Sequence, residues 1–324
     1  MADKRPFRFS WQSFNAGSAR EWREKARRVE ALGYSTLHVA DHYIGAGPAL
    51  AAANHPVQQL ASVPALAMAA EATSTLNIGS RVFCTGYRPA PILVKEAMTL
   101  DLLSDGRFEL GLGAGWMKNE FDAMGIPFPS AGKRIDRLEE TVHLAQAAMR
   151  GEMLCIDGEH VRAMGYEAIP VPTRGHLPLM VGGGAPRILG VAGREADIVS
   201  LNFNNSAGTL GFESFAASTS VELHRKIGWV KDGAGERFKD IELEIGVVTV
   251  ALAGSQLAGA RKVAEFYGVT LDDLKGWPHA LIGSVDSVCD DLHRLRDEFG
   301  ISYINVQDWS GEDFAPVVAR LKGK

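Results

Sequence analysis

The 324-residue sequence predicts an α/β chain closed into a (β/α)8 TIM barrel, and three observations predict it. Short apolar runs of strand type alternate with amphipathic helical stripes from one end to the other, as in a repeating βα unit. The runs are apolar at most positions, as parallel strands covered on both faces are. Glycines, polar residues and a histidine gather where the runs end, which is where barrel loops hold ligands. A doubly wound open sheet would share the first two features, because closure leaves no direct mark on sequence. The rhythm, with a hairpin and a lid-like segment inserted in it, predicts one domain over residues 1–324.

Phe7 to Trp11 alternates and reads as strand one. Ser18-Ala19-Arg20-Glu21 is a capping box that starts a helix with Trp22, Ala26 and Val29 on one face, ended by Gly33. Thr36 to Ala40 is strand two and runs into Asp41-His42. A helix near Gln58 to Thr73 precedes strand three, Leu76 to Cys84. After Pro89 and Pro91 a further helix closes at Leu103, and Ser104-Asp105-Gly106 breaks it. Strand four is Arg107 to Leu110, with a glycine loop, Gly111 to Trp116, directly after it. Ile135, Leu138, Val142, Ala145 and Met149 make Gly132 to Arg150 an amphipathic helix. Asp157-Gly158 predicts a two-residue hairpin turn between Leu154-Cys155-Ile156 and Val161, an insertion after helix four. Leu179 to Val181 is strand five and enters Gly182-Gly183-Gly184, with Pro186 opening a helix. Asp197 to Leu201 is strand six. Asn202 to Asp240 breaks the rhythm and reads as a lid-like segment with one helical piece at Val221 to Trp229. Glu242 to Ala251 is strand seven. The stripe Val288, Leu292, Leu295, Phe299 makes a helix ended by Gly300. Tyr303 to Val306 is strand eight, and Phe314 to Leu321 is a closing helix.

Composition narrows the function. The net charge of -5 argues against general binding of nucleic acid or anionic membrane. No apolar run is long enough to span a bilayer, and the N-terminus lacks the apolar core of a signal peptide. Cys84, Cys155 and Cys289 are odd in number and far apart, which fits reduced thiols and a cytoplasmic location. No Cys-x-x-Cys or His-x-x-x-His pair predicts a metal site. Gly111-Leu112-Gly113 lacks the third glycine of a dinucleotide fingerprint, and no Lys-Ser or Lys-Thr makes it a P-loop.

The residues left at strand ends carry the candidate chemistry. Gly182-Gly183-Gly184 before Pro186 presents amides at a helix N-terminus, a geometry that binds phosphate. The plainer reading is a tight strand-to-helix turn. Gly113-Ala114-Gly115 lets a ligand approach the backbone, or else marks a strand packed too closely for a side chain. His42 is the candidate acid or base, with Asp41 beside it. The plainer reading is a loop-capping aspartate and a rim histidine. His38 reads as a core histidine, and His55 and the remaining histidines show no spacing that implies a site. Trp116 is a candidate wall of an apolar substrate pocket. Glu120 is a candidate for orienting substrate or capping a helix.

Taken together, LDLLSDGRFELGLGAGW (Leu100 to Trp116), Pro178 to Gly184 and Gly193 to Val199 resemble the luciferase-like monooxygenase superfamily, the bacterial-luciferase-type barrel enzymes. The chain is most similar to the branch that uses the deazaflavin coenzyme F420 instead of FMN. The resemblance implies a deazaflavin ring across the barrel mouth, cradled by Asp41, His42, Cys84, Thr85, Gly113, Ala114, Gly115, Leu201 and Asn202. The phosphate would lie on Gly182, Gly183 and Gly184. It implies a non-proline cis peptide at Phe83–Cys84 or Cys84–Thr85, a small-molecule substrate, and a homodimer. The activity it implies is hydride transfer to or from a small organic substrate, with His42 as the proton-handling residue. One alternative is an FMN-dependent monooxygenase fed by a separate reductase. A second is a family member that binds cofactor without turnover. The chain departs from family sugar-phosphate dehydrogenases in having no glutamate in Gly113 to Gly115, and Arg88-Pro89-Ala90-Pro91 stands where a histidine-proline pair is often found.

Overall fold

The computed structural model describes residues 4–205, 208–252 and 257–324. Its eight main strands are Arg8–Ser13, Thr36–Val39, Asn77–Ser80, Phe108–Gly113, Leu179–Gly183, Ile198–Leu201, Glu242–Val247 and Ile301–Gln307. Each pairs in parallel with the next, and the eighth returns to the first with Tyr303 beside Arg8, so the sheet closes. That excludes the open sheet. Apolar residues such as Leu37, Ile78, Leu110, Val181, Val199, Ile245 and Ile304 face outward and build the main core against the helices.

The inward face differs from the expectation that strands are apolar on most positions. Arg8 bonds to Glu109, Asn305 to Ser10, His38 and Gln307, and Arg81 to Gln12 and Glu244, several of these pairs across non-adjacent strands, which is possible only through the barrel interior. At the end where the strands begin, Glu109 accepts from Arg8 at 2.9 Å, Tyr303 at 3.0 Å, Asn77 at 3.1 Å and Thr36 at 3.2 Å. These groups close that end of the barrel.

Local signals define the helices. Ser18 Oγ accepts from the Glu21 N–H at the start of Ala19–Ala31, while the Glu21 carboxylate reaches the Gly17 N–H instead of that of Ser18. Helix Val285–Phe299 buries Val288, Leu292, Leu295 and Phe299 and ends on Gly300 at φ 74°.

Several expectations are corrected. The third strand is interrupted: Asn77–Ser80 stops, Arg81–Val82 is a cis peptide, and Phe83–Cys84 pairs with Leu112 and Gly113. The cis bond therefore lies ahead of the two positions the resemblance implied. The fourth strand runs to Gly113, so Gly111 and Gly113 are strand residues. A Cβ on Gly111 would lie 1.9 Å from the Ser80 carbonyl oxygen, so the strand crossing itself demands glycine. The hairpin pairs Met153–Asp157 with Arg162–Glu167, leaving a four-residue loop, Gly158 to Val161, instead of a two-residue turn. The expected lid divides in two. Ser220–Ala234 is a regular helix packed on Pro186–Glu195, where a Cβ on Gly193 would meet the Val230 carbonyl at 2.3 Å. Of the part before it, Asn202 to Asn205 and Leu210 line the mouth, and residues 206–207 lie outside the described residues. The seventh strand stops at Val247, and Thr249–Ala251 pairs instead with Ala280–Ile282, while helices Leu257–Tyr267 and Leu271–Lys275 occupy a stretch with no helical stripe read in it.

Candidate active site

At the C-terminal ends of the strands lies a cavity of about 970 Å³. It is lined by eleven of the residues singled out in the sequence: Asp41, His42, Cys84, Gly113, Ala114, Gly115, Trp116, Gly182, Gly183, Gly184 and Asn202. Thr85, Leu201 and Glu120 are buried and lie behind this lining. Thr85 Oγ1 donates to the Gly113 carbonyl at 3.2 Å, and Leu201 is part of the core.

Strand two ends and delivers Asp41 and His42 side by side, but their side chains do different work. Both Asp41 oxygens are occupied. Oδ1 accepts from Ser62 Oγ at 2.7 Å and Arg88 at 2.7 Å, and Oδ2 accepts the Cys84 N–H at 3.0 Å. Asp41 thereby ties the loop after strand two to the interrupted third strand. Cys84 is buried, and burial pushes its thiol up to about 12, so it contributes shape to the wall and no charge.

His42 and Glu120 meet across 78 residues of chain, with Nδ1 to Oε2 at 2.6 Å. The same oxygen accepts from Tyr87 OH at 2.7 Å, and Oε1 accepts the Tyr43 N–H at 2.6 Å. Burial works to raise the pKa of Glu120, but the bonds from His42, Tyr43 and Tyr87 outweigh it and hold it below the usual carboxylate range. As an ionised acceptor, Glu120 takes a hydrogen bond from His42 and so fixes a hydrogen on Nδ1. Nε2 has no bonding partner among the described residues, and His42 lines the cavity. Glu120, expected as a substrate residue, is placed one layer back as the support of His42.

The opposite side of the mouth is made of glycine. A Cβ on Gly184 would come within 2.2 Å of the Phe203 carbonyl oxygen, and one on Gly182 within 2.9 Å of Asn202 Nδ2. Helix Pro186–Glu195 begins two residues on, its first amides directed at this side. Deeper in, Arg81 reaches from the cis-peptide bend to Glu244 at 3.0 Å, Asn202 at 2.9 Å and Gln12 at 3.2 Å.

Gln12, His55, Arg81, Tyr87 and Arg134 also line the cavity and carried no recognisable sequence signal. Arg81 sits inside an apolar run and Gln12 inside an alternating strand. His55 follows Asn54 with no periodic partner, although its ring lies 4.4 Å from that of His42. The signal that could have found Arg81 is an arginine at the last inward position of a strand otherwise free of charge. Away from the mouth, Glu139, His143 and Glu195 have ligand-type atoms within 4.8 Å of one another, but Arg194 already neutralises Glu139.

The barrel and its mouth define a (β/α)8 protein with a ligand cavity at the carboxyl ends of its strands. The luciferase-like monooxygenase family profile matches residues 6–211, and the chain belongs to that family. It is similar to an F420-dependent glucose-6-phosphate dehydrogenase of Amycolatopsis mediterranei, 29% identical over 175 residues, which are 54% of this chain and 50% of the relative. The chain thus spans about half the length of the curated relatives it matches. In fold it is similar to an F420-dependent secondary alcohol dehydrogenase (TM-score 0.78, 18% identity, 98% of this chain and 99% of that one). It is also similar to a long-chain alkane monooxygenase (TM-score 0.77, 14% identity, 99% and 92%). At these identities the likeness is one of fold. Among the described residues no helix is long and apolar enough to cross a membrane.

Proposed function

We propose that this chain is a deazaflavin-dependent oxidoreductase that binds coenzyme F420 at the barrel mouth and exchanges hydride with a small organic substrate. The observation that carries the reading is the His42–Glu120–Tyr87 array opening on a cavity whose other side is glycine. The residues fit such a group on two counts. The volume is at the upper end of the roughly 300–1,000 Å³ common for ligand sites. The buried side-chain oxygen of Asn205, which lines the cavity, has no partner among the described residues and can accept from a ligand.

Gly113, Ala114 and Gly115 would flank the ring, and Gly182 to Gly184 with the first amides of Pro186–Glu195 would hold phosphate. The bound deazaflavin supplies the hydride-exchanging carbon. The protein contributes position, a water-poor pocket and a proton at His42 Nε2. Glu120 keeps that nitrogen directed at the cavity and stabilises the imidazolium once it is protonated.

A second reading, an FMN-dependent monooxygenase served by a separate reductase, is favoured by the monooxygenase description of the family. Fluorescence titration with F420 and, in parallel, with FMN tests both. Micromolar binding of F420 with at least tenfold weaker FMN is the expected result. Preference for FMN moves the reading to oxygen chemistry, and binding of neither overturns it.

A further inference from the structure

Five rings run in unbroken contact along the side of the mouth that faces the glycines. Trp309, after strand eight, stacks on Phe14, after strand one, with centroids 5.8 Å apart and planes 9° apart. Phe14 meets His55 edge-on at 6.4 Å. His55 lies 4.4 Å from His42 and 5.9 Å from Trp116, and Trp116 meets His42 edge-on at 6.3 Å. All five line the cavity. Behind Trp116, Leu50, Ala53 and Met117 form a small apolar cluster that keeps this wall dry.

None of the five wall residues is an acid, a lysine or an arginine. His55 Nδ1 donates to the Pro56 carbonyl at 2.8 Å, and burial pushes its pKa down to about 3, so its ring is neutral at neutral pH. The charged groups of the cavity lie elsewhere. Arg81 is spent on Glu244 and Asp41 on Arg88. Arg134 sits by the glycines, donating to the Gly115 carbonyl at 3.2 Å. Lys262 is at the exposed rim.

We infer that this aromatic wall is the substrate-binding surface and that it takes a flat, uncharged, largely apolar molecule, an aromatic or conjugated ring, in preference to a sugar phosphate. A ring seated there gains stacking and edge contacts from several partners at once. A phosphate dianion seated there would lose its hydration against rings and find no lysine or arginine among the five. The inference rests on the proposed function only in assigning the cofactor to the glycine side.

The test uses the full chain saturated with F420 and follows binding by saturation-transfer NMR, with 1-indanone and 2-naphthol as probes and glucose 6-phosphate as the contrast. Both aromatic probes are expected to bind at least tenfold more tightly than glucose 6-phosphate. Trp116→Ala should weaken them at least tenfold while leaving F420 affinity within threefold. Trp309→Ala, at a half-exposed position where folding is not at stake, should weaken them severalfold. Tighter binding of glucose 6-phosphate overturns the inference, as do unchanged probe affinities in both variants. One-for-one displacement of the probes by F420 also overturns it, because the wall would then hold the cofactor ring. If neither F420 nor FMN binds, the proposed function falls; probe binding that still depends on Trp116 and Trp309 would then support the wall on its own.

Discussion

Two buried glutamates, Glu109 and Glu120, each sit beside a histidine at opposite ends of the barrel, and their surroundings make them different groups. Glu109 is at the closed end. His38 Nε2 is 3.7 Å from it, but Arg8 carries its countercharge and Tyr303, Asn77 and Thr36 fill its remaining lone pairs. Burial raises its pKa, and Arg8 and His38 more than reverse that, holding it far below the ordinary range. Glu120 is at the open end and has neither arginine nor lysine bonded to it. Its charge is offset by a backbone N–H, a phenol and the His42 imidazole, which lines the cavity. A buried carboxylate with a permanent cation is a structural plug; one held at the mouth by an imidazole, a phenol and an amide is the group the proposed function uses.

Glu109→Gln should break the plug most severely. It leaves Arg8 in the interior with Glu242 as its remaining ionic partner, and losing one side of a buried pair costs about 3–5 kcal/mol. Denaturant unfolding would read this, and a loss under about 1 kcal/mol would end the distinction drawn here. His42→Asn should act on chemistry instead. Turnover is expected to fall at least ~100-fold, the lower end for removal of a general acid or base, with F420 affinity within threefold. Equal losses of both would assign His42 to binding.

Acid should sharpen the contrast. His55 beside the mouth has a folded-state pKa pushed down to about 3, so below its ordinary 6.5 the unfolded chain binds a proton that the folded chain refuses. Its contribution to stability is complete above 6.5 and is lost as the pH falls from 6.5 toward 3. At about 1.4 kcal/mol per unit, roughly 2 kcal/mol goes by pH 5. His55→Phe should flatten the stability profile in that window, and an unchanged slope would refute the neutral ring. The smallest effect is expected of Tyr87→Phe. It removes one donor to Glu120 and should cost about 0.5–1.5 kcal/mol, with the acid limb of the pH–rate profile moving up.

Much of this was legible in the sequence for definite reasons. Strand ends carry the unusual residues because only they escape the packing of the repeat, so Asp41-His42, Gly113 to Trp116 and Gly182 to Gly184 could be picked out, and all of them line one cavity. Trp22, Ala26 and Val29 announced a buried helix face because helical spacing is local. Arg81 escaped notice because an inward charge on a closed barrel is tolerated through Glu244, Asn202 and Gln12, none of them near it in sequence. The helical piece Val221 to Trp229 is legible, but its place in Ser220–Ala234 packed on the preceding helix is not, because the close approach at Gly193 depends on a partner far along the chain.

The sequence by itself determined the repeating βα order, the strand ends and the residue types gathered there, since periodicity, capping and turn chemistry act over a few residues. Only the tertiary structure decided which carboxylate serves which histidine. Closing the sheet brings Glu109 to Arg8 across 101 residues and Glu120 to His42 across 78, and no spacing rule reaches that far. It also decided that five rings from four separate loops form one wall. Side chains projecting from the ends of neighbouring strands become neighbours only when the ring of strands is complete.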